Sequence, residues 1–343
     1  MNGRIEIENK IQKKIEEKIK KLPSIFDDFY NYLESDGKSY GTCERYIDYV
    51  CDFMKHISGN NPSEDFYKNV SVADVRGYIS SLRRRNERGE EIKNGDSIQA
   101  ARWSALNTFF NFLVMDDYTD TNPMTKTKRP KDKTTKEIVY LERDEINEIL
   151  GKIRADENNK FMNRDLAIVI LGISTGLRVG ALVQINVEDI DFKTNTIKVW
   201  EKGGKERTIK FGNNTRSILS QWIMDRETYF EKIETNALFI SQWRDRITTE
   251  GLRKVLKKYT KDLDKHITPH SLRKSCATQA YMAGTDIRTI ANMLGHNSTS
   301  TTLKYAAAVD SKRDEMVENL DTIFEQNDCN SSFCSAIIKS INK

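Results

Sequence analysis

The 343-residue chain predicts a mainly α fold in two domains, the second carrying a small antiparallel β-sheet. Three observations support this. At roughly 100 to 200 residues per domain, the length accommodates two separate cores. Apolar residues recur every three or four positions through most of the chain, the helical period. Strand-like alternation is confined to one stretch, Thr196 to Phe211, which excludes the repeated strand–helix alternation of a parallel α/β enzyme.

The first apolar series, Ile7, Ile11, Ile15, Ile19 and Leu22 among Lys and Glu, predicts an amphipathic helix that serves as a cap, an arm or a frayed end. Helices are then predicted at Ile25 to Leu33, Tyr46 to Ile57, Val72 to Leu82 and Ile98 to Met115, the last rich in aromatics. No strand pattern interrupts them, so residues 22–122 read as an all-helical domain after an extension at 1–21. PMTKTKRPKDKTTKE (123–137) holds two prolines and no aromatic, and reads as a basic linker. A second domain is expected over 138–320, with helices at Leu141 to Leu150, Asn163 to Ile173, Thr215 to Phe230, Thr249 to Asp262, Pro269 to Met282 and Ile287 to Leu294, and on through Tyr305. In TIKVWEKGGKERTIKF, Ile197 and Val199 alternate, a glycine turn follows, and Ile209 and Phe211 alternate back, which makes a hairpin. Residues 321–343 remain as a tail.

Composition narrows the function. Basic residues number 55 and acidic ones 51, a formal net charge of +4, so clustering rather than total charge has to identify a polyanionic partner. The uncharged stretch Leu166 to Leu177 falls well short of the ~20 residues of a spanning helix. MNGRIEIENK lacks the apolar core of a secretory signal, which predicts no membrane association and a cytoplasmic protein. Cys43, Cys51, Cys276, Cys329 and Cys334 form no CxxC pair, and His56, His266, His270 and His296 lie at no HExxH spacing, so no metal site and no cofactor are expected.

The chemistry-bearing stretch begins at Thr268: TPHSLRKSCATQAYMAGTDIRTIANMLGHNSTSTTLKY. Thr268 is placed to cap a helix with Pro269 at its first position, and His270 and Arg273 then share one face. Thr285 is expected to cap the next helix and Gly295 to end it in a left-handed conformation, leaving His296 just beyond the terminus. Taken singly, such residues are ordinary surface or core positions. Together, HxLR followed by LGHxSxxTTxxY resembles the signature of the tyrosine recombinase (phage integrase, Xer-like) family. STGLRVGALVQINVEDID (174–191) is similar to the family's first arginine box, and KGGKER (202–207) to its catalytic lysine loop. The helical first domain, ending in NPM and a basic linker, is similar to the family's SAM-like core-binding domain.

The resemblance covers residues 22–320 and implies an active site of Arg178, Lys202, His270, Arg273, His296 and the nucleophile Tyr305. Two guanidinium forks suit the non-bridging oxygens of a phosphodiester under attack. Imidazole suits hydrogen bonding to the phosphate and proton transfer from the phenol. A lysine on a hairpin turn suits protonation of the leaving 5′ oxygen. The family's usual acid three positions after the first arginine is Ala181 here, which predicts lower rather than absent activity, with Glu188 or Asp189 as nearby acids able to compensate. Lys205 shares the turn with Lys202, and spacing favours Lys202 as the acid and Lys205 as a phosphate contact.

Arg83, Arg84, Arg85, Lys93, Arg102 and Trp103 are candidate DNA contacts of the first domain, and Lys126, Lys128, Arg129 and Lys131 of the linker. The resemblance implies double-stranded DNA with paired recombination sites, strand exchange through a Holliday junction, a homotetramer on DNA, an accessory directionality factor and a mobile genetic element as context. Met316 to Phe324, with Met316, Leu320, Ile323 and Phe324, is the candidate contact with a neighbouring protomer. A type IB topoisomerase and a catalytically idle DNA-binding protein on the same fold are the alternatives. The presence of both His270 and His296 favours the recombinase.

Overall fold

The computed structural model describes residues 3–59, 62–82, 95–131, 138–200, 204–229, 233–296, 298–307 and 309–311. The chain divides into two compact units, Gly3–Lys136 and Glu137–Lys343.

The first unit contains helices α1 (Gly3–Ile19), α2 (Ile25–Ser35), α3 (Tyr40–Ser58), α4 (Val72–Ser81) and α5 (Gly95–Met115). Helix α1 is no arm, because Ile15 and Ile19 enter the same buried cluster as Phe29, Ile47, Phe53 and Phe109. Lys14 and Lys18 tie it to Glu44 and Asp48 of α3. The centre is aromatic: Phe66 and Phe109 stack at 6.0 Å, and Phe29 meets Phe109 edge-on at 5.0 Å. Helix α3 begins six residues before the predicted Tyr46, since Cys43, fully buried one turn before Ile47, acts there as a core residue. Ser71 and Asp74 close a capping box on α4. The first residues of the expected linker are folded: Pro123–Lys126 forms a 3₁₀ turn capped by Asn122, and Met124 is buried in the first unit's core.

The second unit contains α6 (Arg143–Arg154), α7 (Met162–Thr175), α8 (Val179–Gln184), β1 (Ile190–Asp191), β2 (Thr196–Trp200), β3 (Glu206–Lys210), α9 (Asn213–Tyr229), α10 (Thr249–Thr260), α11 (Pro269–Met282), α12 (Ile287–Leu294) and α13 (299–307). The apolar run Leu166–Val169 buries α7 among α6, α9 and α11. Its two buried charges are paired: Arg164 donates to Asp165 and to the Ile240 carbonyl, and Asp165 also accepts from Asn159 and Tyr259. The sheet is antiparallel in the order β1-β2-β3, with Ile197 opposite Ile209 and Val199 opposite Arg207. The predicted hairpin is therefore present, with β1 added at its edge. The entry segment 138–142 is pinned to α11, where the Ser275 hydroxyl accepts from the Leu141 N–H and Gln279 donates to the Leu141 carbonyl. The observed fold is the mainly helical, small-sheet class that the sequence predicted.

Candidate active site

Helix α7 ends at Gly176, whose φ of +61° is left-handed. A Cβ there would lie 2.4 Å from Leu294 Cδ2 and 3.1 Å from Cys276 Sγ, so both the conformation and the close approach require glycine. Two residues later Arg178 occupies the N-cap of α8 with an exposed side chain, and its carbonyl accepts from the N–H groups of Ala181 and Leu182. The acids considered as compensation for Ala181 are engaged elsewhere. Asp189 accepts from the Asn186 N–H in a capping box, and Glu188 accepts from the Asn186 and Asn236 amides.

Helix α11 starts where Thr268 and Pro269 predict, with the Thr268 hydroxyl accepting from the Ser271 N–H. One turn on, Arg273 is 2% exposed; its Nη1 donates to the Gly176 carbonyl at 2.7 Å and its Nη2 to the Leu294 carbonyl at 2.6 Å. Both acceptors sit at helix C-termini, the negative ends of α7 and α12, which suits a cation. These two guanidinium donors hold the group in place.

Helix α12 is capped by Asp286 rather than Thr285: the Asp286 carboxylate accepts from the N–H groups of Arg288 and Thr289, while the Thr285 N–H closes the preceding turn on the Ala280 carbonyl. Asp286 has the extended backbone of an N-cap, its carboxylate reaches both N–H groups at once, and Asp is a stronger N-cap than Thr. Gly295 ends the helix at φ +66° as expected, and the His296 N–H returns to the Ala291 carbonyl. The His296 Nδ1 lies 2.8 Å from the buried Thr302 hydroxyl on α13, leaving Nε2 as the ring nitrogen for a ligand. Tyr305, one turn further along α13, is 5% exposed; it packs against Cys276, Ala277, Ile290 and Leu294, with its ring centroid 6.2 Å from that of His296.

These side chains share one electrostatic neighbourhood. Burial lowers the His296 pKa to about 4, assisted by Arg273, Arg178 and His270. His270, in the first turn of α11, is likewise lowered, first by desolvation, then by Lys274, Arg273 and Arg178. The Tyr305 phenol is raised by burial, while Arg273 and Arg178 pull it the other way. Arg178, His270, Arg273, His296 and Tyr305 are therefore brought together from α8, α11, α12 and α13. Lys202 lies outside the described residues. Lys205, at the far end of the turn, is exposed.

The candidate DNA contacts divide. Arg83, Arg84, Arg85 and Lys93 lie outside the described residues, as does the Met316 to Phe324 segment. Arg102 is committed within the first unit: it donates to Asp52 and Tyr78, and its guanidinium lies 4.8 Å from the Tyr49 ring centroid. Trp103 donates to the Thr127 hydroxyl. Lys126, Lys128, Arg129 and Lys131 are exposed. Two participants lie within the quoted boxes but had no role assigned to them. Thr302 orients His296, and Arg207 on β3 donates from Nη1 to the Asn292 carbonyl at 3.2 Å and from Nη2 to the Met293 carbonyl at 2.8 Å. Among the described residues no group of three or more His, Cys, Asp or Glu is placed to hold a metal ion. No described helix is long and apolar enough to cross a membrane.

Residues 139–312 match the phage integrase family. The chain is 31% identical over 300 residues to the tyrosine recombinase XerC of Syntrophus aciditrophicus, covering 83% of this chain and 93% of that protein. It is 28% identical over 303 residues to the tyrosine recombinase XerD of Oceanobacillus iheyensis, covering 87% and 98%. Among solved structures, the Tn1549 transposon integrase in complex with a circular intermediate DNA shares the fold at a TM-score of 0.60 and 21% identity, covering 87% of this chain and all of that one. A lambda integrase dimer bound to a core site does so at 0.59 and 18%, covering 83% and 94%. The chain belongs to the phage integrase family and is a tyrosine-type site-specific recombinase.

Proposed function

We propose that this enzyme cleaves and rejoins double-stranded DNA with Tyr305 as nucleophile. The reading rests on one observation: a buried, doubly anchored Arg273 and Arg178 both act on the Tyr305 phenol, whose ring lies 6.2 Å from that of His296. The Tyr305 hydroxyl oxygen attacks the scissile phosphorus and its proton passes to His270, whose neutral, proton-accepting form is favoured by desolvation and the neighbouring cations. Arg178 and Arg273 meet the charge developing on the non-bridging oxygens, and His296 adds a hydrogen bond from Nε2 when Nδ1 accepts from Thr302. The P–O5′ bond breaks and the 5′ oxygen takes a proton from Lys202, leaving a 3′-phosphotyrosyl ester and a free 5′ hydroxyl. The ester retains the bond energy, so attack by the 5′ hydroxyl of a second strand rejoins DNA without a nucleotide cofactor.

Strands exchanged in pairs pass through a Holliday junction, in a homotetramer on two sites, with an accessory factor setting direction. Double-stranded DNA as the partner is supported by relatives solved on DNA, among them the XerH site-specific recombinase bound to difH. Residues 138–320 act as the catalytic domain and 22–122 as the core-binding domain. The test uses two differently labelled duplexes carrying the enzyme's own target, identified by sequencing the junctions of its mobile element. Joining of the two labels in the presence of EDTA supports the reading. Relaxation of supercoils without joining points to the topoisomerase alternative.

A further inference from the structure

The C-terminus of α12 is fully accounted for, and one of its partners has no place in the reaction as described. The last four carbonyls of a helix lack intrahelical partners. Here the Ala291 carbonyl accepts from His296 N–H, the Asn292 carbonyl from Gly295 N–H and Arg207 Nη1, the Met293 carbonyl from Arg207 Nη2, and the Leu294 carbonyl from Arg273 Nη2. Two guanidinium groups therefore converge on one helix end immediately before His296. One belongs to the candidate site. The other comes from β3, three residues past Gly204 at the end of the hairpin turn.

We propose that Arg207 is a positioning residue of the reaction: it ties strands β2 and β3 to the end of α12, next to His296, and through that hold acts on the lysine of the β2–β3 connection that protonates the leaving oxygen. The pairing of Arg207 with Val199 transmits this hold to β2, the strand that leads into the turn. Removing Arg207 leaves α12 held by Arg273 and by its own glycine cap, whereas the hairpin loses two hydrogen bonds to the helical body. The effect therefore falls on the group that the hairpin presents, the proton donor to the leaving oxygen. This rests on the reading of the hairpin lysine as that donor.

The test compares single-turnover cleavage of two matched nicked substrates, one with the natural 5′ oxygen at the scissile phosphate and one with sulfur in that bridging position. A thiolate leaves without being protonated, because its conjugate acid is far stronger than an alcohol. With the oxygen substrate, Arg207→Ala is expected to slow cleavage at least tenfold at saturating enzyme, with unchanged DNA affinity. With the sulfur substrate it is expected to cleave within about twofold of the unaltered enzyme, and Arg207→Lys to fall between. An Arg207→Ala that is equally slow on both substrates, or equally fast on both, overturns the proposal. Melting temperatures of both variants exclude loss of folding as the cause. Lys202→Ala is measured alongside. If sulfur rescues Lys205→Ala and not Lys202→Ala, the donor moves along the turn while the role of Arg207 stands.

Discussion

Gly176→Ala puts the scaffold of Arg273 under direct strain. Left-handed backbone costs an L-residue roughly 1–2 kcal/mol. The new Cβ would sit 2.4 Å from Leu294 Cδ2 and 3.1 Å from Cys276 Sγ, and overpacking of this kind adds about 1–3 kcal/mol. The sum, ~2–5 kcal/mol, is a large share of the usual ~5–15 kcal/mol of stability, and at ~2–4 °C per kcal/mol it lowers the melting temperature by roughly 4–20 °C. Catalysis suffers further, since the Gly176 carbonyl anchors Arg273 at 2.7 Å and the displaced Leu294 carries the second anchoring carbonyl. A displacement near 1 Å costs on the order of 100-fold in rate. The assay is a thermal melt paired with single-turnover cleavage of a nicked substrate, run where the variant is folded. Gly284→Ala is the control: its φ is +87° but nothing lies within 4 Å of the added Cβ, so it keeps the conformational cost without the clash. A Gly176→Ala enzyme that matches Gly284→Ala in both melting and rate refutes the reasoning.

Three other expectations follow from the same geometry. The His296 ring, with a pKa held down to about 4, stays neutral in the folded enzyme while the unfolded chain protonates near 6.5; its share of stability is complete above about 6.5 and is lost as pH falls toward about 4. Its ring-proton NMR shift should therefore stay flat through pH 6.5 and move near 4 in free protein, and inflection near 6.5 contradicts the burial argument. Ala181→Glu places an acid one turn from Arg178 and should raise the cleavage rate up to about fivefold, the equivalent of ~1 kcal/mol; a slower variant overturns the expectation that alanine at this position lowers activity. Replacing the exposed Lys126, Lys128, Arg129 and Lys131 together by Ala should flatten the slope of log affinity against log salt by about 3 to 4 if each meets a phosphate, and an unchanged slope takes the 126–131 segment off the DNA.

Much of this was legible in the sequence where a local signal was strong. Thr268 and Pro269 mark the start of α11, and Gly295 marks the end of α12. The five described site residues could be named because they lie in contiguous motifs. Short elements could not be read: α8 has six residues and β1 two, too few for periodicity to register. The start of α3 was missed because Cys43 does a hydrophobic residue's work, and Asp286 took the cap assigned to Thr285 because the two stand side by side. Arg102 shows the limit of charge as a guide, since a cation in a helix gives no sign of whether it faces DNA or Asp52, Tyr78 and Tyr49. Gly176 and Arg207 both lie inside the quoted boxes, STGLRVGALVQINVEDID and KGGKER, yet their roles were not legible there. What each supplies is a backbone approach or a hold on carbonyls distant in sequence, which the residues of a box do not state.

The proposed reaction turns on a covalent bond between Tyr305 and DNA. It is tested most directly by trapping the enzyme on a nicked substrate, digesting the adduct and locating the modified peptide by mass spectrometry. A 3′-phosphonucleotide is expected on Tyr305, lost in Tyr305→Phe while DNA binding persists. An adduct on another residue, or one that survives in Tyr305→Phe, contradicts it.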